Sequence, residues 1–361
     1  MKYIDEYRSK ELVDQLLHEI HALARGKYTL MEVCGSHTMA IHRFGLPSVL
    51  PSNIRLVSGP GCPVCVTGKR FINMAIAYTN KPDTIVATYG DLLRVPGSSF
   101  SLEKAKAEGG DVRIVYSPLD ALNIAKSNAE KNVVFPAIGF ETTAPGTAVA
   151  IDQAVKEGVE NFYVLCGHKI MPPAMNAIVE EGVKIDGYIC PGHVSTITGE
   201  DIYKHIPVNY GIPCVIAGFE PVDILYTILM IIKQIENNNP AVEIQYKRAV
   251  KPEGNRKALD YMHKVFITRD DYWRGLGIIE KSGLRIRENY KSIDAEEVMP
   301  VRVQAEEKDQ GCICGEILKG LKNPLDCKLF ENQCTPINPV GACMVSSEGA
   351  CQAYYKYKRY E

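Results

Sequence analysis

The feature that most limits how this chain can fold is a repeated alternation of short, β-rich apolar runs with helical stretches. The runs fall at 29–33, 54–57, 84–88, 112–116, 133–138, 161–165, 187–190 and 214–217. Strand and helix alternating at this spacing call for parallel sheets with crossover helices. Several runs end in Gly or Pro-Gly, as tight strand-to-helix turns require. Ahead of them, residues 10–25 repeat apolar positions at three and four spacing and read as an amphipathic helix ending near Gly26. The fold class is α/β.

Weak internal echoes suggest how the strands are shared out. Cys34-Gly35 returns as Cys166-Gly167 and Pro60-Gly61 as Pro191-Gly192, 132 and 131 positions on. Gly90 with Pro96-Gly97-Ser98 returns as Gly139 with Pro145-Gly146-Thr147, at a shift of 49. These favour two similar parallel-sheet halves, 27–130 and 131–240. Asn237-Asn-Asn-Pro240 reads as a linker, followed by a charged helical region with the single Trp273 and by Gly-, Pro- and Cys-rich sequence from Gly311. The N-terminal helix has no strand partner nearby. Residues 1–26 and 241–361 are therefore expected to form a third, helical and Cys-rich unit.

Composition narrows the function. The chain has 361 residues, 46 % hydrophobic and 23 % charged, with a formal net charge of −2. It is long enough to bury a sizeable core, and it lacks the basic field that binds nucleic acid in bulk. The first residues are charged and polar, with no apolar signal-peptide core. The longest apolar run, 224–232, is about half of what a bilayer requires. A cytoplasmic location is expected, where thiols stay reduced unless they are redox-active or metal-bound.

Against that background the twelve cysteines stand out, six of them in the last fifty residues. Gly59-Pro-Gly-Cys62-Pro-Val-Cys65 follows one strand and precedes an expected helix over 66–79. Two thiols separated by two residues at a helix N-terminus can close a disulfide, and the helix end favours the thiolate. Cys34-Gly-Ser-His37 follows the first strand, at the sheet edge where open parallel sheets bind ligands. Its Cys and His could form a thiolate–imidazolium pair or two metal ligands; the alternative is a small buried thiol beside a surface His. Gly139-Phe-Glu141-Thr142-Thr143 and Pro191-Gly-His193-Val-Ser195 are further strand-end loops. Each could be no more than a helix cap, but four polar loops at matching strand ends point to a shared cleft.

In the tail, Cys312, Cys327, Cys334 and Cys351 are separated by fourteen, six and sixteen residues. Structural zinc sites usually show tight pairs. Wide spacing with Gly and Pro nearby suits a [4Fe–4S] cubane better, with zinc as the alternative. Cys314 and Cys343 leave the choice of ligands open. Nucleotide chemistry has little support: Gly61 to Gly68-Lys69-Arg70 approximates a P-loop, but with six residues between the glycines and Arg where Ser or Thr should meet Mg²⁺.

Taken together, Cys34-Gly-Ser-His37, Gly59-Pro-Gly-Cys-Pro-Val-Cys65, Gly139-Phe-Glu-Thr-Thr143, Pro191-Gly-His-Val-Ser195 and the Cys-rich tail resemble the HypD family of hydrogenase maturation factors, in that family's order from about residue 30 onward. The resemblance implies a scaffold and redox enzyme that helps assemble the Fe(CN)₂CO group of [NiFe]-hydrogenases, with a HypC-like small chaperone and a HypE-like cyanide donor. It implies that Cys34 binds transient iron carrying cyanide and CO, shared with a cysteine of the chaperone. Cys62 and Cys65 would form a redox-active dithiol that also touches iron, and Cys312, Cys327, Cys334 and Cys351 would hold one [4Fe–4S] cluster. His37, Glu141, Thr142, Thr143, His193 and Ser195 would line the cleft. Met39 stands where some relatives carry a second His, which leaves His37, with His42 or His193, to supply imidazole. Cys166, Cys190, Cys214, Cys314 and Cys343 need no role beyond packing. The alternative is an iron–sulfur thiol–disulfide oxidoreductase acting on a protein disulfide, which would make no use of the Cys34 or Glu141 motifs.

Overall fold

All eight expected strands form, and three more join them. The computed structural model describes residues 5–303 and 311–357. Its strands are β1 (Tyr28–Glu32), β2 (Ile54–Ser58), β3 (Thr84–Thr88), β4 (Asp111–Ile114), β5 (Asn132–Gly139), β6 (Phe162–His168), β7 (Gly187–Pro191), β8 (Cys214–Ala217), β9 (Val242–Ile244), β10 (Phe266–Trp273) and β11 (Gly277–Ile286). One sheet is parallel with order β2-β1-β7-β8-β9, and a second is parallel with order β4-β3-β5-β6. β10 and β11 form a separate antiparallel hairpin. The fold is α/β with two similar parallel-sheet units and a Cys-rich C-terminal region.

The two sheets divide the strands differently from the expected cut at 130/131. That cut falls between β4 and β5, which share a sheet. The second sheet is instead inserted whole between β2 and β7 of the first. Local apolar patterning marks where strands are, but their partners are chosen by crossovers that patterning does not encode. The shift-49 echo, from Gly90 to Gly139, does join the ends of two adjacent strands, β3 and β5.

The N-terminal helix, Lys10–Leu23, also departs from expectation. Rather than closing the Cys-rich region, it packs on the long helix Pro221–Glu236, where Ile20 joins Ile224, Leu225 and Ile228 in a buried cluster. The apolar run 224–232 is the core of that second helix. Helix Ala350–Tyr357 of the tail packs instead on Gly35–Arg43, the helix that follows β1. The helix expected over 66–79 is broken into Pro63–Val66 and Lys69–Thr79. Thr67 and Gly68 are extended between them, and Thr67 bridges to Trp273.

Each sheet has a point where successive crossovers run to opposite sides, and open α/β sheets bind their ligands there. In the first sheet that point lies between the C-terminal ends of β1 and β7. In the second it lies between β3 and β5. The sequence past these ends is Cys34, Pro191-Gly192-His193, Gly90-Asp91 and Phe140-Glu141.

Candidate functional site

Cys34 caps helix Gly35–Arg43 and is 7 % exposed. Its backbone N–H donates to Glu32 Oε2 at 3.2 Å, and Thr38 Oγ1 donates to the other oxygen of the same carboxyl. Burial pushes Glu32 up to about 8 and the Cys34 thiol up to about 12, with Glu348 and Glu32 adding to the shift at Cys34. Glu348 reaches the site from the tail: it accepts from Ser36 Oγ at 2.5 Å, and its own backbone leaves no room for a Cβ on Gly35.

His37 is wholly buried. Its Nε2 donates to the Gly218 carbonyl at 2.9 Å, so the lone pair lies on Nδ1, which has no hydrogen-bond partner among the described residues. Burial depresses the ring to about 4. Burial thus disfavours the charged form of each group, against the thiolate–imidazolium pair the spacing allowed. A ring that donates one N–H to a backbone carbonyl and leaves its other nitrogen unpartnered is how a metal-ligating His is usually held.

The ring of Phe219 lies between two imidazoles, stacked on His37 at 4.6 Å and on the exposed His193 at 4.0 Å. This brings the β1 and β7 loops together. His42 belongs elsewhere, against Tyr354 of the tail at 4.2 Å. His193 is thus the imidazole that accompanies His37.

The Cys62–Cys65 turn lies directly on Cys34. Gly35 N–H donates to the Gly61 carbonyl at 2.9 Å, and a Cβ on Gly61 would sit 2.2 Å from the Cys34 nitrogen. Pro63 starts the turn and the Cys65 N–H donates to Cys62 Sγ at 3.3 Å, so the first thiol caps the turn that carries the second. The thiols are 3 % and 0 % exposed. Cys65 meets the thiol of Cys343 as well as Cys62, and Cys343 Sγ lies 3.4 Å from Cys314 Sγ. Burial raises Cys65, whereas hydrogen bonds from Cys314 and Cys65 lower Cys343. Cys314 and Cys343 are therefore more than packing residues: they link the Cys62–Cys65 pair to the tail.

All six tail cysteines line one cavity, otherwise walled by apolar side chains including Ile317, Leu329, Phe330 and Met344. Val340 N–H donates to Cys334 Sγ at 3.3 Å, and Gly341 leaves space in which a Cβ would sit 2.9 Å from Cys312 Sγ. Among the described residues no three His, Cys, Asp or Glu side chains converge as a single metal ion requires. Six thiols around one largely apolar cavity offer enough donors for the four corners of an iron–sulfur cluster.

The remaining predicted residues gather in a second, buried polar group. Glu141 Oε1 accepts from Met171 N–H at 3.0 Å, Oε2 is buried without a hydrogen-bond partner among the described residues, and burial raises the carboxyl to about 7. Ser195 does not face a cleft: its hydroxyl donates to the Pro191 carbonyl at 2.8 Å and lies 3.1 Å from Tyr203 OH, which also feels the Glu141 charge. Thr143 Oγ1 closes the turn at Gly139, whose φ of +144° and contact with that oxygen admit only glycine. Thr142 is half-buried beside it.

Sequence reasoning passed over Glu32, Phe219 and Glu348. Nothing in the neighbours of Phe219 signals a ring between two imidazoles. Glu32 could have been noticed as a carboxylate in an otherwise apolar strand.

The chain matches the sequence profile of HypD, described as a hydrogenase formation hypA family, over residues 11–358. It is 48 % identical over 369 residues to the hydrogenase maturation factor HypD of Azotobacter vinelandii, spanning 99 % of this chain and 97 % of that protein. Against the hydrogenase maturation factor HypD of Cupriavidus necator it is 46 % identical over 372 residues, with 100 % and 98 % covered. A putative hydrogenase expression/formation protein of Methanocaldococcus jannaschii is 46 % identical over 352 residues, with 97 % and 98 % covered. With that likeness running the full length of the chain, the protein belongs to the HypD family of hydrogenase maturation factors.

Proposed function

We propose that the chain is the scaffold on which the Fe(CN)₂CO group of [NiFe]-hydrogenases is assembled, acting with a HypC-like chaperone and a HypE-like cyanide donor. The observation that carries this reading is the contact of the Cys62–Cys65 turn with Cys34 through Gly61, at the switch point whose following helix carries His37 with a buried Nδ1 that has no partner among the described residues. A metal-binding thiol and a dithiol are held in one place.

The iron is cargo. Cys34 gives one thiolate, the chaperone's cysteine a second and His37 Nδ1 an imidazole, soft and borderline ligands suited to iron that also carries cyanide and CO. Cyanide arriving as a thiocyanate on a donor cysteine needs two electrons to leave it. Cys62 and Cys65 supply them: an S–S bond forms between the two thiols, releasing two electrons and two protons. The donor's S–CN bond breaks, its sulfur takes one proton to leave as a thiol, the cyanide carbon binds iron, and the second proton goes to solvent.

Two thiol exchanges then restore the pair. Cys343, whose pKa is lowered by hydrogen bonds from Cys314 and Cys65, attacks Cys65 of the disulfide, and Cys314 resolves the mixed disulfide, leaving a Cys314–Cys343 bond. When bound on Cys312, Cys327, Cys334 and Cys351, a [4Fe–4S] cluster supplies single electrons from an external donor. These steps suit a reducing cytoplasm, where we place the protein. The rival reading, a reductase of protein disulfides, makes no use of Cys34, of His37 or of the backbone contact that ties the Cys62–Cys65 turn to Cys34 through Gly61.

Infrared spectroscopy of the anaerobically isolated complex tests the iron role. Cys34→Ala protein should carry neither cyanide nor CO bands; bands at wild-type intensity would overturn it.

A further inference from the structure

The β10–β11 hairpin takes no part in either sheet, yet its tip touches three of the site's elements. Trp273, wholly buried, bridges to Thr67 just past the Cys62–Cys65 turn and stacks on Phe140 beside Glu141 at 5.8 Å. The Arg274 N–H donates to the Val66 carbonyl at 2.8 Å. On the other side the tip meets the tail without any side chain between. A Cβ on Gly275 would lie 2.5 Å from the Gly315 Cα, and one on Gly315 would lie 2.6 Å from the Gly275 carbonyl oxygen. Gly315 directly follows Cys314. Gly275 also has φ +84°, which L side chains rarely adopt. Arg274, 5 % exposed, lines a cavity with Cys312 and Cys314, so the tip also brings a buried cation beside these sulfurs.

We propose that this tip sets the thiol-exchange geometry, with Gly275 and Gly315 as positioning residues that hold Cys314 against Cys343 in a frame fixed to the Cys62–Cys65 turn through Val66. The inference rests on the thiol-exchange reading above and adds to it the element that fixes the distance. The backbone-to-backbone contact leaves no flexible side chain to absorb a shift. Any atom added at Gly275 or Gly315 pushes the Cys314 segment away from the tip, while the Cys62–Cys65 turn, closed by its own hydrogen bonds, stays as it is.

Disulfide mapping of the cluster-free full chain separates these effects. Diamide, a two-electron diazene oxidant, takes two electrons and two protons from a thiol pair and is reduced to the hydrazine as one S–S bond forms. Bond formation is followed over time by peptide mass spectrometry. In the wild type, Cys62–Cys65 and Cys314–Cys343 should both close. In Gly275→Ala and Gly315→Ala, Cys314–Cys343 should close about a hundredfold more slowly with Cys62–Cys65 at its wild-type rate, as expected for a misplacement of about an ångström. General loosening of the fold would move both rates together and would overturn the positioning role, as would wild-type rates for both bonds in both variants. Failure of Cys314–Cys343 to close in the wild type, with Cys62–Cys65 closing, would overturn the thiol-exchange reading itself and this inference with it.

Discussion

Replacing Gly61 by alanine tests how closely the Cys62–Cys65 pair is tied to Cys34. The new Cβ would lie 2.2 Å from the Cys34 nitrogen, 2.3 Å from the Val33 carbonyl carbon and 2.5 Å from the Cys34 Cα. All three are backbone atoms, so no rotamer change relieves the clash. Restoring ordinary van der Waals contact requires the turn to retreat by about 1.2 Å in an interior packed without slack. Overpacking of this kind costs about 1–3 kcal/mol, which leaves a domain of ordinary stability folded. A displacement near 1 Å at reacting groups costs on the order of a hundredfold in rate. The assay is anaerobic cyanide transfer from the thiocyanate donor to iron, followed by the growth of the cyanide infrared bands, with thermal unfolding measured in parallel. Gly61→Ala should lower the melting temperature by a few degrees and slow transfer by about a hundredfold. Transfer at the wild-type rate in a variant that melts lower would refute the idea that Cys34 and the Cys62–Cys65 turn act as one site.

Other outcomes follow from the same geometry. Cys343→Ser removes the thiol between Cys65 and Cys314, so after one oxidation the Cys62–Cys65 disulfide should persist under conditions that re-reduce the wild type, as read by peptide mapping. Cys312 is half-exposed while the other eleven cysteines are buried, so brief alkylation of the cluster-free native chain should label Cys312 first; early labelling of Cys62 or Cys65 would contradict their burial. Asp152 is buried, which alone would raise its pKa, but Lys156, Lys264 and Tyr290 hydrogen-bond it and hold it down at about 2. The carboxyl titrates lower folded than unfolded, so its stabilisation is complete above the usual carboxylate range and is lost as pH falls toward 2. Asp152→Asn should cost about 2 kcal/mol at neutral pH by chemical denaturation, and the difference should shrink on acidification.

The parts of the fold legible in the sequence were those set by local pattern. Thr84–Thr88 and Cys214–Ala217 form strands over the residues expected, because buried parallel strands are short, uniformly apolar runs with clear ends. β10 went unseen because Phe266–Trp273 carries Arg269, Asp270 and Asp271 and lies in an antiparallel hairpin with much of its surface exposed. The allocation of β5 and β6 depends on which strands they pair with, which no local run records. At the site, Cys34, His37, Cys62 and Cys65 stood out because thiols and imidazoles at strand ends carry chemistry wherever they occur. The place of Cys314 and Cys343 could not be read in the same way. Cluster spacing accounted for the other four tail thiols, and the contact of Cys343 with Cys65 is made only when the tail folds back onto a turn near the other end of the chain. Ser195 shows the opposite error, a reactive-looking hydroxyl whose bonds are satisfied inside the core.

The central claim is that one cyanide reaches iron at the expense of one dithiol oxidised. A single-turnover experiment with the cluster-free chain, its iron-loaded chaperone and the thiocyanate-bearing donor measures this directly. Iron-bound cyanide is quantified by infrared spectroscopy and the Cys62–Cys65 and Cys314–Cys343 disulfides by mass spectrometry of the same sample. The account predicts one disulfide, summed over the two pairs, for each cyanide transferred. Cyanide bound to iron with all four thiols still reduced would contradict it.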